Sequence, residues 1–198
     1  MHYLVLGVGT DIGKTYFVEQ YCSKFANTFA IKPIATGFDY NDPNSDSARI
    51  LKVLGLEFTQ QNLDLITPYR HHLPVSPHFV LDIDLKTVAD FCWQHMQSQQ
   101  NLLIESAGGV MTPINKQANF LDLAVLLKIE CILITDNYLG AISHTLTALD
   151  AIKNRGITCK TIVVNQRYVG DTSIDDFIET LKNFTSGIDI IKFPLTTF

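Results

Sequence analysis

The chain has 198 residues, 46% of them hydrophobic and 18% charged, with a formal net charge of −5. This is enough apolar material for one core, so a single domain over 1–198 is expected; the scattered basic residues argue against a nucleic-acid-binding face. No apolar run approaches the roughly 20 residues needed to span a bilayer. Met1 leads straight into a strand-like segment, without a cationic start or a cleavable apolar stretch, so a cytoplasmic location and no membrane partner are expected. Cys22, Cys92, Cys131 and Cys159 stand far apart in apolar stretches and read as core residues.

In chain order, a strand is expected over 3–7, a helix over 14–26, a strand over 29–32, a helix over 46–54 and a strand over 64–67. A helix follows over 85–98, a strand over 101–105, a helix over 119–128, a strand over 131–135 and a helix over 141–154. A strand over 160–165, a helix over 173–183 and a strand over 188–192 complete the series. The strands are continuous apolar runs, which suits strands covered on both faces. Their alternation with helices predicts an α/β fold with a mostly parallel, seven-stranded sheet and helices on both faces. Ligands in such sheets collect beyond the carboxyl ends of the strands. The polar residues just after each strand are therefore the candidates for chemistry.

After the first strand comes Gly7-Val8-Gly9-Thr10-Asp11-Ile12-Gly13-Lys14-Thr15, then a helix. Glycines let backbone N–H groups turn inward around phosphate oxygens, and the helix N-terminus adds positive potential. Gly-Lys-Thr where strand gives way to helix is the context a phosphate loop requires, although this loop is one residue longer than the strict pattern. Gly9, Thr10, Asp11, Ile12 and Gly13 are expected to wrap the phosphates of a nucleotide. Lys14 would reach the β- and γ-phosphates, and the Thr15 hydroxyl would ligate Mg²⁺. The expected fold is thus P-loop NTPase-like.

The second strand ends in Lys32-Pro33-Ile34-Ala35-Thr36-Gly37. An ammonium at the end of a buried strand needs an anion, unless Lys32 reaches solvent along its stem. Asp46, in Asn44-Ser45-Asp46-Ser47, is either a helix N-cap or a metal ligand. Glu105 closes Asn101-Leu102-Leu103-Ile104 and precedes Ser106-Ala107-Gly108-Gly109, where phosphate-loop enzymes hold a second metal carboxylate. Thr15, Asp46 and Glu105 together would offer Mg²⁺ the oxygen ligands it prefers. The adjacent His71 and His72 do not suggest a zinc site, since neighbouring residues rarely ligate one metal. His78 and His144 read as ordinary loop or helix residues.

Several blocks occur in a telling order: Gly-Thr-Asp-x-Gly-Lys-Thr, Lys32-Pro33-Ile34-Ala35-Thr36-Gly37, Asn44-Ser45-Asp46, Pro68-Tyr69, Ser76-Pro77-His78, Glu105-Ser106-Ala107-Gly108-Gly109 and Leu139-Gly140-Ala141-Ile142. Over residues 3 to 165 or so, the sequence resembles the dethiobiotin synthetase family. The resemblance implies 7,8-diaminononanoate, carbon dioxide and ATP as substrates, Mg²⁺ as cofactor, and a homodimer. It makes Lys14, Lys32 and Thr36 catalytic, Lys32 and Thr36 lying beside a reacting carbamate. Thr15, Asp46 and Glu105 become the metal ligands, and Thr10, Asp11 and Gly108 face substrate or phosphates. Leu139, Gly140, Ala141 and Ser143 match the stretch that binds the substrate's carboxylate tail across a dimer interface, and Asn165 matches the asparagine that reads the purine. Ser143 stands where the family usually has Asn, and Asp11 where it has Glu. The sequence runs only four residues beyond Pro194, which leads us to expect looser selection of ATP over GTP or another triphosphate. The alternative is a partner-binding switch ATPase of the plasmid-partition or division-site type. Those proteins carry an additional lysine at the position of Gly9, and its absence together with Lys32-Pro33 favours the synthetase.

Overall fold

A computed structural model describes residues 1–166 and 173–193. The elements are β1 (His2–Gly7), α1 (Lys14–Lys24), β2 (Thr28–Ile31), β3 (Ile34–Thr36), α2 (Asp46–Val53), α3 (Gln60–Ile66), β4 (Tyr69–His71) and α4 (Leu85–Ser98). They continue with β5 (Asn101–Glu105), α5 (Phe120–Leu127), β6 (Glu130–Asp136), α6 (Ala141–Asn154), β7 (Cys159–Asn165), α7 (Ile174–Phe184) and β8 (Asp189–Phe193). The main sheet has the order β2-β5-β1-β6-β7-β8, and every pairing in it is parallel. Leu4, Val5 and Leu6 are buried in succession, as are Leu102, Leu103 and Ile104. Successive side chains point to opposite faces, so both faces of these central strands are covered.

Among the described residues the main sheet has six strands and not the seven expected from sequence. The strand expected over 64–67 is instead the last turn of α3 and its C-cap. The run Asp64-Leu65-Ile66-Thr67 reads as strand by itself, but capping and spacing decide otherwise. Thr59 caps the helix through its side chain, Gln60 Nε2 donates to Asp64 Oδ1 at 2.9 Å, and Leu63 and Ile66 are both buried. Residues three apart share a helix face, so the helix buries both apolar side chains at once. Two very short strands that the apolar pattern does not mark, β3 and β4, pair in parallel as a separate small sheet. Pro33 separates β2 from β3, because it has no N–H for the ladder.

The order of connections places the site. From β1 the chain crosses to β2 at one edge, whereas from β5 it passes to β6 on the other side of β1. The crevice at such a switch point opens beyond the carboxyl ends of the central strands. Gly7 ends β1 and Glu105 ends β5, so the phosphate loop and the acidic strand end meet there. Cys92, Cys131 and Cys159 are buried, Cys22 is half-buried, and all four are free thiols, in keeping with core packing.

Candidate active site

The loop after β1 turns sharply into α1. Gly13 adopts φ +93°, and a Cβ there would lie 2.2 Å from Asn165 Nδ2, so only glycine fits. Asp11, at φ 52°, also takes the left-handed region, which Asp tolerates better than most residues. Inside the loop, Lys14 Nζ donates to the carbonyls of Gly9 at 3.0 Å and Gly108 at 2.7 Å. The lysine thus links the phosphate loop to the glycine turn after β5. Burial, reinforced by the nearby Lys32 ammonium, lowers the Lys14 pKa to about 8.

Beside Lys14 lies a cluster of oxygens around one ammonium. Thr15 Oγ1 donates to Glu105 Oε1 at 2.7 Å, and Lys32 Nζ donates to the same Oε1 at 2.7 Å. Lys32 also pairs with Asp46. Lys32 is 5% exposed, so it does not reach solvent along its stem, and Glu105 is fully buried. Burial by itself would lower the Lys32 pKa, but the Glu105 and Asp46 carboxylates outweigh it and hold the ammonium above its ordinary range. Burial would likewise raise Asp46, yet the Lys32 charge keeps its carboxyl below the usual carboxylate value. The anion Lys32 was expected to find in substrate is supplied in this structure by two of its own neighbours. Asp46 is not the helix cap: Ser45 is the N-cap, and its Oγ accepts from the Ala48 N–H at 3.4 Å. The Asp46 carboxylate is therefore available for the cluster. Glu105 Oε2 is buried without a partner among the described residues.

These groups line a cavity of about 600 Å³. Its wall brings together Thr10, Asp11, Ile12, Gly13, Lys14, Thr15, Lys32, Thr36, Asp46, Glu105 and Gly108. Gly9 is not on this wall; its carbonyl accepts from Lys14 Nζ. Two groups of expected residues stand elsewhere. Asn165, at the end of β7, is buried behind the loop; its Nδ2 donates to the Ile12 carbonyl at 2.5 Å, and its Oδ1 has no partner among the described residues. Leu139, Gly140, Ala141 and Ser143 open α6 outside this cavity, with Leu139 fully exposed and Gly140 at φ +93°. The expectation about base selection rests on residues 194–198, which lie outside the described residues.

Several wall positions carried no assigned role in the sequence, Ser76, Thr112 and Arg49 among them. Ser76 and its prolines come from the loop after β4, where Ser76 Oγ lies 2.9 Å from His78 Nδ1. Thr112 lines the cavity and accepts from the Gly109 N–H at 2.8 Å, which fixes the glycine turn. Arg49 lies one turn along α2 from Asp46, a helical spacing that the sequence displays once Asp46 is suspected.

A parallel α/β sheet with a lysine-bearing phosphate loop at its switch point, facing a second carboxylate strand end, defines a P-loop nucleotide-binding protein. A family profile described as an AAA domain matches residues 1–187. The ATP-dependent dethiobiotin synthetase BioD of Legionella pneumophila strain Paris is 36% identical over 189 residues, covering 91% of this chain and 87% of that protein. The protein of the same name from Phenylobacterium zucineum is 35% identical over 209 residues, covering 97% and 88%. The chain belongs to the ATP-dependent dethiobiotin synthetase family, and so uses ATP. Among solved structures, the MinC:MinD cell division complex of Aquifex aeolicus superposes with a TM-score of 0.58 at 14% identity, covering 96% of this chain and 78% of that one. A ParA family ATPase from Chlorobium tepidum gives the same TM-score at 14% identity, covering 96% and 81%. At that identity the likeness is one of fold.

Proposed function

We propose that this chain, acting as one domain over residues 1–198, closes the ureido ring of dethiobiotin from 7,8-diaminononanoate, carbon dioxide and ATP. The observation that carries the proposal is the Lys32 ammonium, buried beside the phosphate loop with Thr15, Asp46 and Glu105. A hydrolytic switch needs a water and a partner surface, whereas a lysine at this place can meet a second anion next to the γ-phosphoryl group.

The donor set fits magnesium. Thr15, Asp46 and Glu105 present only oxygen, two of the three as carboxylates, and the unpaired buried Oε2 of Glu105 awaits a cation. These three residues would hold Mg²⁺, which would neutralise charge on the terminal phosphate oxygens. The remaining work falls to the chain. One amine of the diamine adds to carbon dioxide and loses a proton, giving a carbamate. A carbamate oxygen attacks the γ-phosphorus and ADP leaves, producing a carbamic–phosphoric anhydride. The second amine attacks the carbonyl carbon, phosphate departs with a proton, and the ring is closed. Lys32 and Lys14 supply fixed positive charge where oxygens approach and leave, and Thr36 offers a hydroxyl on the same wall. Catalysis here is positioning and charge stabilisation. Thr10, Asp11 and Gly108 line the space left for the diamine and phosphates.

The substrate's carboxylate tail is assigned to Leu139, Gly140, Ala141 and Ser143, whose helix start presents N–H groups to an anion. Because they stand outside the cavity, this assignment requires a second copy of the chain, and the reading is of a cytoplasmic homodimer without nucleic-acid or membrane partners. Among the described residues no helix is long and apolar enough to cross a membrane. Asn165 is assigned to the base. Its unpaired Oδ1 suits the amino group of adenine and would oppose the carbonyl of guanine. The test is phosphate release with ATP alone and with the diamine and bicarbonate added together. Release should rise strongly only in the complete mixture; equal turnover without the diamine refutes the proposal.

A further inference from the structure

The proposed magnesium ligands Thr15 and Asp46 open two different helices, α1 and α2. No ladder ties one helix to the other, so their first turns need a fixed separation from some other source. One candidate is Lys32, which pairs with Asp46. Yet Lys32 is the group that would turn to substrate and phosphoryl oxygens in the reaction, so that tie is not constant.

A second tie lies one turn further along both helices. Arg49 Nε donates to Glu19 Oε1 at 3.0 Å, and Arg49 Nη2 pairs with Glu19 Oε2. Glu19 follows Thr15 by four residues and Arg49 follows Asp46 by three, so each stands on the helix face that carries its ligand. A planar guanidinium meeting a carboxylate through two parallel bonds sets both distance and rotation, which a single lysine contact does not. The two side chains are only 33% and 21% exposed, so the fork is partly shielded from water and salt. Glu19 touches no part of the cavity, whereas Arg49 reaches its wall beside Asp46.

We propose that Glu19 and Arg49 form a positioning pair that holds the first turns of α1 and α2 at the separation a divalent cation requires. The inference rests on reading Thr15 and Asp46 as metal ligands. Outer partners that orient ligands typically change metal affinity by about tenfold or more when removed.

The test uses Mn²⁺ as probe, its binding to the full chain followed by electron paramagnetic resonance in the presence of a non-hydrolysable ATP analogue. Glu19→Ala and Arg49→Ala should each weaken Mn²⁺ binding about tenfold. The double variant should be no worse than either single one, because both remove the same fork. Arg49→Lys should recover only part of the loss. Unchanged Mn²⁺ affinity in both single variants, with only a lowered melting temperature, overturns the inference by making the pair a plain helix brace. Weaker binding of the metal-free nucleotide in Arg49→Ala but not in Glu19→Ala overturns it too, since Arg49 would then be a direct phosphate contact. Asp46→Asn separates the two levels: if it leaves Mn²⁺ affinity unchanged, the ligand assignment fails, whereas a large loss there beside normal Glu19 and Arg49 variants refutes the positioning pair alone.

Discussion

Replacing Lys32 by methionine keeps most of the side chain's length and removes its charge, and the structure assigns the consequence. Glu105 is fully buried and would retain only the Thr15 hydroxyl at 2.7 Å, while Asp46, whose side chain is 44% exposed, can turn to water. Removing one partner of a buried ion pair leaves an uncompensated charge, at a cost of about 3–5 kcal/mol. For a chain of this length that corresponds to a melting point lowered by about 6–20 °C. Magnesium should return part of the loss, because a cation at the same oxygens replaces the missing charge. Calorimetric melting of wild type and Lys32→Met, each with and without Mg²⁺, measures both effects, and the Mg²⁺-induced rise should be larger in the variant. The pH dependence has a defined sign. The folded pKa of Lys32 is raised above its ordinary 10.5, so its stabilisation is complete below that pH and fades as pH climbs through the higher folded value. The variant should lack this alkaline loss. Its rate of phosphate release should also fall by roughly a hundredfold or more, the scale for one preorganised charge at a transition state. A metal-free melting point equal to wild type would refute the reasoning, since Glu105 could not then depend on Lys32.

Two further predictions concern the nucleotide. Lys14 titrates near 8 in the free protein, and bound phosphates must raise that value; ATP affinity should be flat below about pH 8 and fall by up to tenfold per pH unit above it, as isothermal titration over a pH series would show. Affinity that stays level up to pH 9.5 or so would contradict the low Lys14 value. Asn165→Ala should narrow the preference for ATP over GTP in competition measurements, whereas an unchanged ratio would confine Asn165 to supporting the Ile12 carbonyl.

The sequence displays most of this architecture because buried parallel strands are continuous apolar runs, and six of the seven expected strands are present in the sheet. The segment at 64–67 misled for a local reason: its adjacent Leu65 and Ile66 read as a short strand-like run, but the Thr59 cap and the buried Leu63 that shares a helix face with Ile66 lie outside so short a window. β3 and β4 are three residues each, too short for any periodicity to mark. The cavity wall was legible wherever a polar residue closed a strand or a glycine turn, as for Lys14, Lys32 and Glu105. What could not be read was who satisfies whom. Lys32 called for an anion, yet that Glu105 and Asp46 supply it depends on residues 73 and 14 positions away. Asp46 could have been a cap until Ser45 took that place. Asn165, placed by resemblance at the base, packs behind the loop because Gly13 leaves room for it. The start of α6, placed by resemblance at the substrate's tail, lies outside the cavity.

The central claim is that an oxygen of carbon dioxide, and not of water, attacks the γ-phosphorus. The direct measurement is a single turnover with doubly ¹⁸O-labelled carbon dioxide, the diamine and ATP in unlabelled water, quenched before the label exchanges with solvent. In the proposed reaction the carbamate oxygen stays on phosphorus when the ring closes. The account predicts inorganic phosphate carrying one ¹⁸O per turnover. Phosphate without label, released at the same rate, would mean that water is the nucleophile and would contradict the account.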